Sequence, residues 1–468
     1  MLAHEMRFRW AMACMVLGGA SACTALLGND FVIVDDASGG SGASGGTGGS
    51  GTGTTGGGGT GGAGGMAPQL PPLDCTLDPA SVTTLRDLLG NGVPNAEMDE
   101  IFGVIADEDP RFFTSYPTPN GNVGEVFTIR DGTVESWSLP ANGFLDAQSI
   151  TPNHAGVLFA QFIGADVQLQ YMVLEVNDPN GTGAQISTLF TGPPGAFFGD
   201  AKLSLDPQGG LDDVFVTFSM RQNNPSVTET HFLPPASSGA NAQVLLANDI
   251  QLAESDYDPT AFVHIGATNH IWVGEIGDDP SRYYGFDGVT VPSRPPLLLG
   301  TDQHVESVAL TDDGRLRVLG IILDTSTGLG SLRVDNLDEA ALDGLDLTTM
   351  PEAVAITSFA DAATQGNFAW SDSHMIWSGR HEGVPRDLKL FVIHESGQTR
   401  FEGTFQVPNP VNDFQLIERV HAIANPLFSA LAGPIFVSWV ERGTDPADQT
   451  IAYDRLRYGV VNCDPQQE

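Results

Sequence analysis

The chain has 468 residues, enough to bury a large core, and 20 Lys and Arg against 58 Asp and Glu give a formal charge of −38. That balance excludes a nucleic-acid binder, which must neutralise phosphates, and docking on anionic lipid through a polybasic patch. Charged residues at 17% and hydrophobic ones at 41% exclude a disordered acidic tail, so the 56 glycines need a positional explanation.

Residues 1–22 read as an export signal. Arg7 and Arg9 precede an apolar run over Ala11–Ala20 that is too short to span a bilayer, and Ala20-Ser21-Ala22 supplies small residues before a cleavage point. The next residue is Cys23. This arrangement resembles a bacterial lipoprotein signal, in which the cysteine at +1 is acylated and becomes the new N-terminus. Ala20 departs from the commoner leucine at −3 and suits the ordinary signal peptidase equally, which leaves plain secretion open. By the same resemblance, Thr24 in place of Asp implies the outer membrane or cell surface of a Gram-negative bacterium.

Residues 23–37 form a lipid-proximal segment containing Phe31-Val32-Ile33-Val34, which could pack on the body or lie near lipid. Residues 38–65 are only Gly, Ser, Thr and Ala, with 17 glycines among 28 residues. Nothing in this run can offset the entropy of ordering it, so it is expected to be a disordered tether with a root-mean-square reach of about 30 Å. A phosphate-binding loop is excluded, because no strand precedes it and no Lys-Ser/Thr ends it.

Residues 66–99 read as a lead-in, with a helix expected over Ser81–Leu89. From 100 to 463 the texture is uniform, and 464–468 is a short tail. Apolar runs at Val157–Ile163, Val214–Met220, Ile271–Ile276, Leu316–Ile322 and Ile435–Val440 are separated by Gly, Pro, Asn and Asp clusters, the strand-and-turn signature. Each strong run leads through a turn to a second strand, as in Asp213–Arg221 to Thr228–Leu233 or His374–Gly379 to Leu388–His394. Outer strands follow at Gln185–Phe190, Gln243–Leu246 and Arg400–Val407. Anchors at Val157, Val214, Ile271, Leu316, Ile376 and Ile435 recur at intervals of 57, 57, 45, 60 and 59 residues. An earlier hairpin around Asp131-Gly132 adds one more unit, and a weaker helix is expected at Leu337–Leu345. A repeat near fifty residues with four strands each predicts an all-β fold, a β-propeller of about seven blades. Neither the Trp-Asp ending of WD40 repeats nor kelch-type paired glycines occur. Tandem β-sandwiches are the alternative.

Of four cysteines, Cys14 lies in the signal and Cys23 at its end, leaving Cys75 and Cys463 as an even pair at the two ends of the body. A disulfide between them would close the ring.

No catalytic residue and no metal site is assigned. His264 and His270, and His374, His381 and His394, lack zinc-site spacing, and His270 and His374 read as repeated structural residues. The Asp-Pro pairs at Asp78, Asp109, Asp178, Asp206, Asp258, Asp279, Asp445 and Asp464 read as turn starters. Asp178-Pro179-Asn180-Gly181 lacks the spaced carboxylates of a calcium loop, so a weak calcium site has no location. Ser204-Leu205-Asp206-Pro207-Gln208-Gly209 stops short of a sialidase-type box, Thr311–Gly314 is a hairpin turn, and no Gly-x-Ser-x-Gly elbow occurs. Trp272, Trp377 and Trp439 are expected to pack between blades, with Trp137, Tyr283 and Tyr284 the better ligand contacts.

These features imply a surface-tethered, non-catalytic propeller binding a protein or polysaccharide partner. An extracellular polysaccharide hydrolase or lyase is the alternative, and a purely structural envelope part is a third reading. Carboxylates or a His–carboxylate pair converging on the central funnel would mark the enzyme, and an apolar funnel the binder.

Overall fold

The computed structural model describes residues 70–466, apart from 107–108, 152, 176–180, 206–209, 212, 224–225, 250–257, 275–280, 294–295, 312–313, 325, 328, 357–365, 372, 381–386, 409, 411–413 and 425–432. The export signal, Cys23, the segment 23–37 and the tether 38–65 lie outside the described residues. So do His381, Asp178, Asp206 and Asp279.

The described body is all β: seven four-stranded antiparallel sheets forming a propeller. Blade 1 holds β2 (Phe102–Ala106), β3 (Asp109–Thr118), β4 (Gly121–Arg130) and β5 (Thr133–Leu139). Blade 2 holds β6 (Gly143–Thr151), β7 (His154–Ile163), β8 (Asp166–Glu175) and β9 (Gln185–Thr191). Blade 3 holds β10 (Phe197–Leu205), β11 (Val214–Asn223), β12 (Ser226–Leu233) and β13 (Gln243–Asp249). Blade 4 holds β14 (Pro259–Ile265), β15 (Thr268–Val273), β16 (Arg282–Asp287) and β17 (Leu297–Leu298). Blade 5 holds β18 (Gln303–Leu310), β19 (Leu316–Asp324), β20 (Leu329–Leu337) and β21 (Glu352–Ile356). Blade 6 holds β22 (Gly366–Ser371), β23 (His374–Arg380), β24 (Asp387–His394) and β25 (Thr399–Gln406).

Blade 7 closes the ring with both chain ends. It takes β26 (Leu416–Ala424), β27 (Gly433–Thr444) and β28 (Ala452–Pro465) from the C-terminal end and β1 (Leu73–Asp87) as its outer strand. All six anchors fall on second strands, β7 through β27, so the repeat read from sequence is the blade.

Local chemistry explains the elements. Asp131 and Gly132 both have positive φ, 50° and 72°, the twist a two-residue hairpin needs between β4 and β5. Second and third strands are continuous apolar runs because neighbouring blades cover both faces, whereas the outer strand β9 is largely exposed. Trp272 packs with Val305, Leu316 and Val318 of the next blade, and Trp377 with Leu319 and Ile321 of the blade before. Trp439 packs with Ile376 and Leu390 of blade 6. The three tryptophans thus fill the space between blades, as their repeat spacing predicts.

Three expectations are corrected. Ser81–Leu89 is not a helix: most of it belongs to β1, where β-branched Val82-Thr83-Thr84 favours a strand and two bulges absorb the mismatch with β28. The lead-in therefore contains part of the propeller. Tyr283 and Tyr284 are core residues, 3% and 7% exposed, and are not placed to contact a ligand. The weaker helix at Leu337–Leu345 is a 3₁₀ segment over Glu339–Gly344.

Cys75 and Cys463 are disulfide-bonded, and they face each other directly in the β1–β28 register. The bridge lies inside one blade, pinning its outer strand, rather than between two neighbouring blades. Such a bond marks an oxidising, extracytoplasmic environment. Among the described residues no helix is long and apolar enough to cross a membrane.

Candidate functional site

The first strands of the sheets touch one another around the ring: β2 with β6, β6 with β10, β10 with β14, β14 with β18, β22 with β26 and β26 with β2. Trp370 of β22 donates to Ser307 of β18 at 2.8 Å. These strands line the axis, and five of them carry a bulge near their start. The breaks fall between Phe144 and Asp146, Phe198 and Ala201, Pro259 and Ala261, Val305 and Ser307, and Ile417 and Arg419. Ahead of β2, the Asp99 N–H donates to Ser115 O at 2.7 Å, one residue out of register with the pairing of Phe102 and Phe113. The same extra residue is therefore present at Glu100–Ile101. A bulge bends its strand and re-aims side chains. The bulges set Glu306 and Glu418 at the unpaired position itself, Asp146 one residue after the unpaired Leu145, Asp200 within the Gly199–Asp200 bulge, and Glu100 within the one ahead of β2.

Four of those carboxylates act electrostatically on one cation, Lys202 of β10. Burial works against its charge, but Asp146, Asp200, Glu100 and Glu306 together hold its pKa above the ordinary value. These acids come from blades 1, 2, 3 and 5, so the meeting point is the propeller axis. Lys202, Asp146 and Glu306 are half-buried. Burial raises Asp146 against the pull of Lys202, and it raises Asp99 against the pull of Arg419. Glu306 is pushed up to about 7, again by burial.

Beside these acids Ser281, His304 and Glu306 lie in sequence, with a hydrogen bond between the first two and only a close approach between the last two. The Ser281 hydroxyl is 2.8 Å from His304 Nδ1, and His304 Nε2 faces Glu306 Oε1 at 3.3 Å. Burial lowers His304 to about 4, so the ring is neutral at neutral pH. The residue types match a hydrolytic triad, but Ser281 is 0% exposed, so its hydroxyl meets no substrate in this structure.

The other polar groups on the inner strands tie blade to blade. Asp146 Oδ2 accepts the Leu203 N–H at 2.8 Å, and Gln148 donates to Leu203 O at 2.8 Å. Ser149 donates to Ile105 O at 2.7 Å and Thr260 to Val305 O at 2.6 Å. Ser204 accepts the His264 N–H at 2.8 Å. Each bond satisfies a backbone group that the crowded axis hides from water.

The histidines singled out by sequence are dispersed. His264 stacks on Phe215 and contacts Asn269, while His270 contacts Tyr283 and Glu339. His374 accepts from Arg400 and meets His394 edge-on. Among the described residues no group of three or more His, Cys, Asp or Glu is arranged to hold a metal. Trp137 is half-buried, against the blade 1–2 core. On the rim, a groove of about 350 Å³ between β1 and β25 is lined by Cys75, Thr76, Leu77, Pro79, Thr404, Phe405, Gln406 and Pro408. It offers no ionisable side chain.

Sequence reasoning missed the collar. A signal exists: Phe144-Leu145-Asp146, Phe198-Gly199-Asp200, Val305-Glu306 and Ile417-Glu418 each set an acid one or two residues after an apolar one at the start of a blade.

No protein family matches this sequence, and no curated protein does. Among solved structures, the chain is similar to a subtype N10 neuraminidase-like protein of A/little yellow-shouldered bat/Guatemala/060/2010. Identity is 12%, covering 85% of this chain and 99% of that one, with a TM-score of 0.34. It is similar to a subtype N11 neuraminidase-like protein of A/flat-faced bat/Peru/033/2010 (H18N11) at 11% identity, covering 84% and 94%, TM-score 0.36. A glucose dehydrogenase matches at 10% identity over 81% and 98%, TM-score 0.33. Likenesses at this level carry no argument about activity.

Proposed function

We propose that this chain is an exported lipoprotein, tethered through Cys23, whose propeller binds a protein or polysaccharide at the cell surface without catalysing a reaction. The observation that carries this reading is how the axial charges are disposed. Asp146 accepts a backbone N–H and feels the Lys202 charge, Asp99 accepts from Ser115 and feels the Arg419 charge, and the Ser281 hydroxyl is sealed from solvent. That is a braced collar rather than an opposed pair of carboxylates flanking an open cleft. Cys75 and Cys463 are joined and Cys14 falls in the signal by sequence, so Cys23 is the cysteine that the lipoprotein resemblance would acylate. A glycan array paired with a polysaccharide-degradation screen tests the function: binding without released sugar is expected, and released sugar overturns it. Labelling with a fatty-acid analogue, lost in Cys23→Ser, tests the anchor.

A hydrolase or lyase is the second reading, favoured by one observation: the His304–Glu306 pair on the axis, with Glu306 titrating near neutral pH as a general acid requires. If sugar is released, Glu306→Gln should abolish it.

A further inference from the structure

The residues just ahead of β1 are bonded on both sides. Leu70 is bracketed by the Gln398 side chain, which accepts its N–H at 3.1 Å and donates to its carbonyl at 2.8 Å. Arg400, 2% exposed, donates to Pro71 O through Nε at 3.0 Å and Nη2 at 2.9 Å. Its Nη1 is held at 3.0 Å by His374, a ring kept neutral by burial and by the Arg400 charge. From the other side, Gln466 donates its N–H to Pro72 O at 2.9 Å. Then come the pairs Leu73–Pro465, Asp74–Asp464 and Cys75–Cys463, the third of which is covalent.

This order matters for a body held from its N-terminal side. Pulling on Leu70 loads the β1–β28 ladder from its end, so hydrogen bonds break one pair at a time, the weakest way to load a strand. An outer strand has no partner on its far side to share that load. We infer that Leu70–Cys75, with Arg400, Gln398 and the Cys75–Cys463 bridge, forms a load-bearing clamp that keeps tension on the tether from peeling β1 off blade 7. Force reaching Cys75 crosses into Cys463, and β1 beyond it can leave only if β28 also separates from β27. That second ladder runs from Gly433–Cys463 to Thr444–Ala452. The clamp's use in the cell rests on the proposed anchoring at Cys23, but its existence does not.

The test is single-molecule pulling on the mature chain from Cys23, with one handle at its N-terminus and the other at Leu298, which is 62% exposed on the rim of blade 4. The protein with its disulfide should show no extension step from the body before blade unfolding. Cys75→Ser/Cys463→Ser should add an early low-force step of about 50 Å, the length of a fifteen-residue strand. Arg400→Met, with the disulfide intact, should show no such step. An early step of equal force in wild type and the double serine variant overturns the inference, as does its absence from both. Failure of lipid labelling at Cys23 would refute the anchor while leaving this result intact.

Discussion

The Asp454 carboxylate accepts the Met98 N–H at 2.8 Å across 356 residues of chain, joining blade 7 to the segment that enters blade 1. Asp454 is fully buried, and Arg442 approaches its other oxygen at 3.4 Å. Burial, reinforced by Glu418, pushes Asp454 up to about 7 despite Arg442. Its bond closes the ring independently of the disulfide.

Asp454→Ala should therefore cost about 1–3 kcal/mol, since it leaves the Met98 N–H without an acceptor. Asp454→Asn keeps an acceptor and removes a charge that burial penalises. It should stay close to wild type near pH 3.8 and gain on it progressively as pH rises to 8. Urea unfolding at the two pH values measures both. Equal losses in the alanine and asparagine variants would mean that the hydrogen bond matters little.

Lys202 is the hub of the axial collar, and Lys202→Met leaves Asp146 and Glu306 crowded without their cation. A loss of about 2 kcal/mol is expected at pH 8, less than for a fully buried pair because these side chains are only half-buried. Without Lys202 the carboxyls bind protons more tightly in the folded state than in the unfolded one. The loss should therefore shrink toward pH 5. Thermal unfolding across that range checks the sign.

How much of this was legible follows from which periodicity each feature has. Blade repeat, anchor strands, interblade tryptophans and the Cys75–Cys463 pair were readable because alternation, spacing and cysteine parity act along the chain. The fifteen residues of β1 were misread because a strand alone at the N-terminus has no local partner, and β28 lies some 370 residues away. The collar escaped for a related reason. Glu100, Asp146, Asp200 and Glu306 are unremarkable acids in a sequence with 58 of them, and only closure of the ring brings them to Lys202. Ser281, His304 and Glu306 likewise meet across two blades.

Glu306 gives the stability profile a definite slope. Its folded pKa of about 7 lies above the usual 4.5, so the native state binds more protons than the unfolded chain between those values. Its contribution to stability is present below about pH 4.5 and is lost as pH rises through 7. Glu306→Gln removes the penalty and should exceed wild type by about 2–3 kcal/mol at pH 8, with no gain near pH 4.5. His304 and His421 act in the opposite direction: burial lowers both to about 4. Stability that depends on keeping them neutral is present above pH 6.5 and is lost as pH falls toward 4. Differential titration of folded and unfolded protein, or chemical denaturation at several pH values, separates the two slopes.

Blade 7 contains one more arrangement whose removal has a calculable sign. Glu441 is wholly buried and receives hydrogen bonds from Trp439 Nε1 at 3.0 Å and Arg457 Nη1 at 2.9 Å. Arg457 also donates to Pro408 O at 2.9 Å, reaching the segment that follows blade 6. Glu441→Ala strands the Arg457 charge and the indole N–H in a dry interface. About 3–5 kcal/mol of destabilisation is expected, visible as a lower urea midpoint with an unchanged slope. Glu441→Leu/Arg457→Met removes both charges while keeping volume, and should recover most of the loss, because a buried ion pair gives back little beyond its own desolvation cost. If the double variant is as unstable as the single, the Arg457 bond to Pro408 is the dominant contact, and the two blades depend on it rather than on the ion pair.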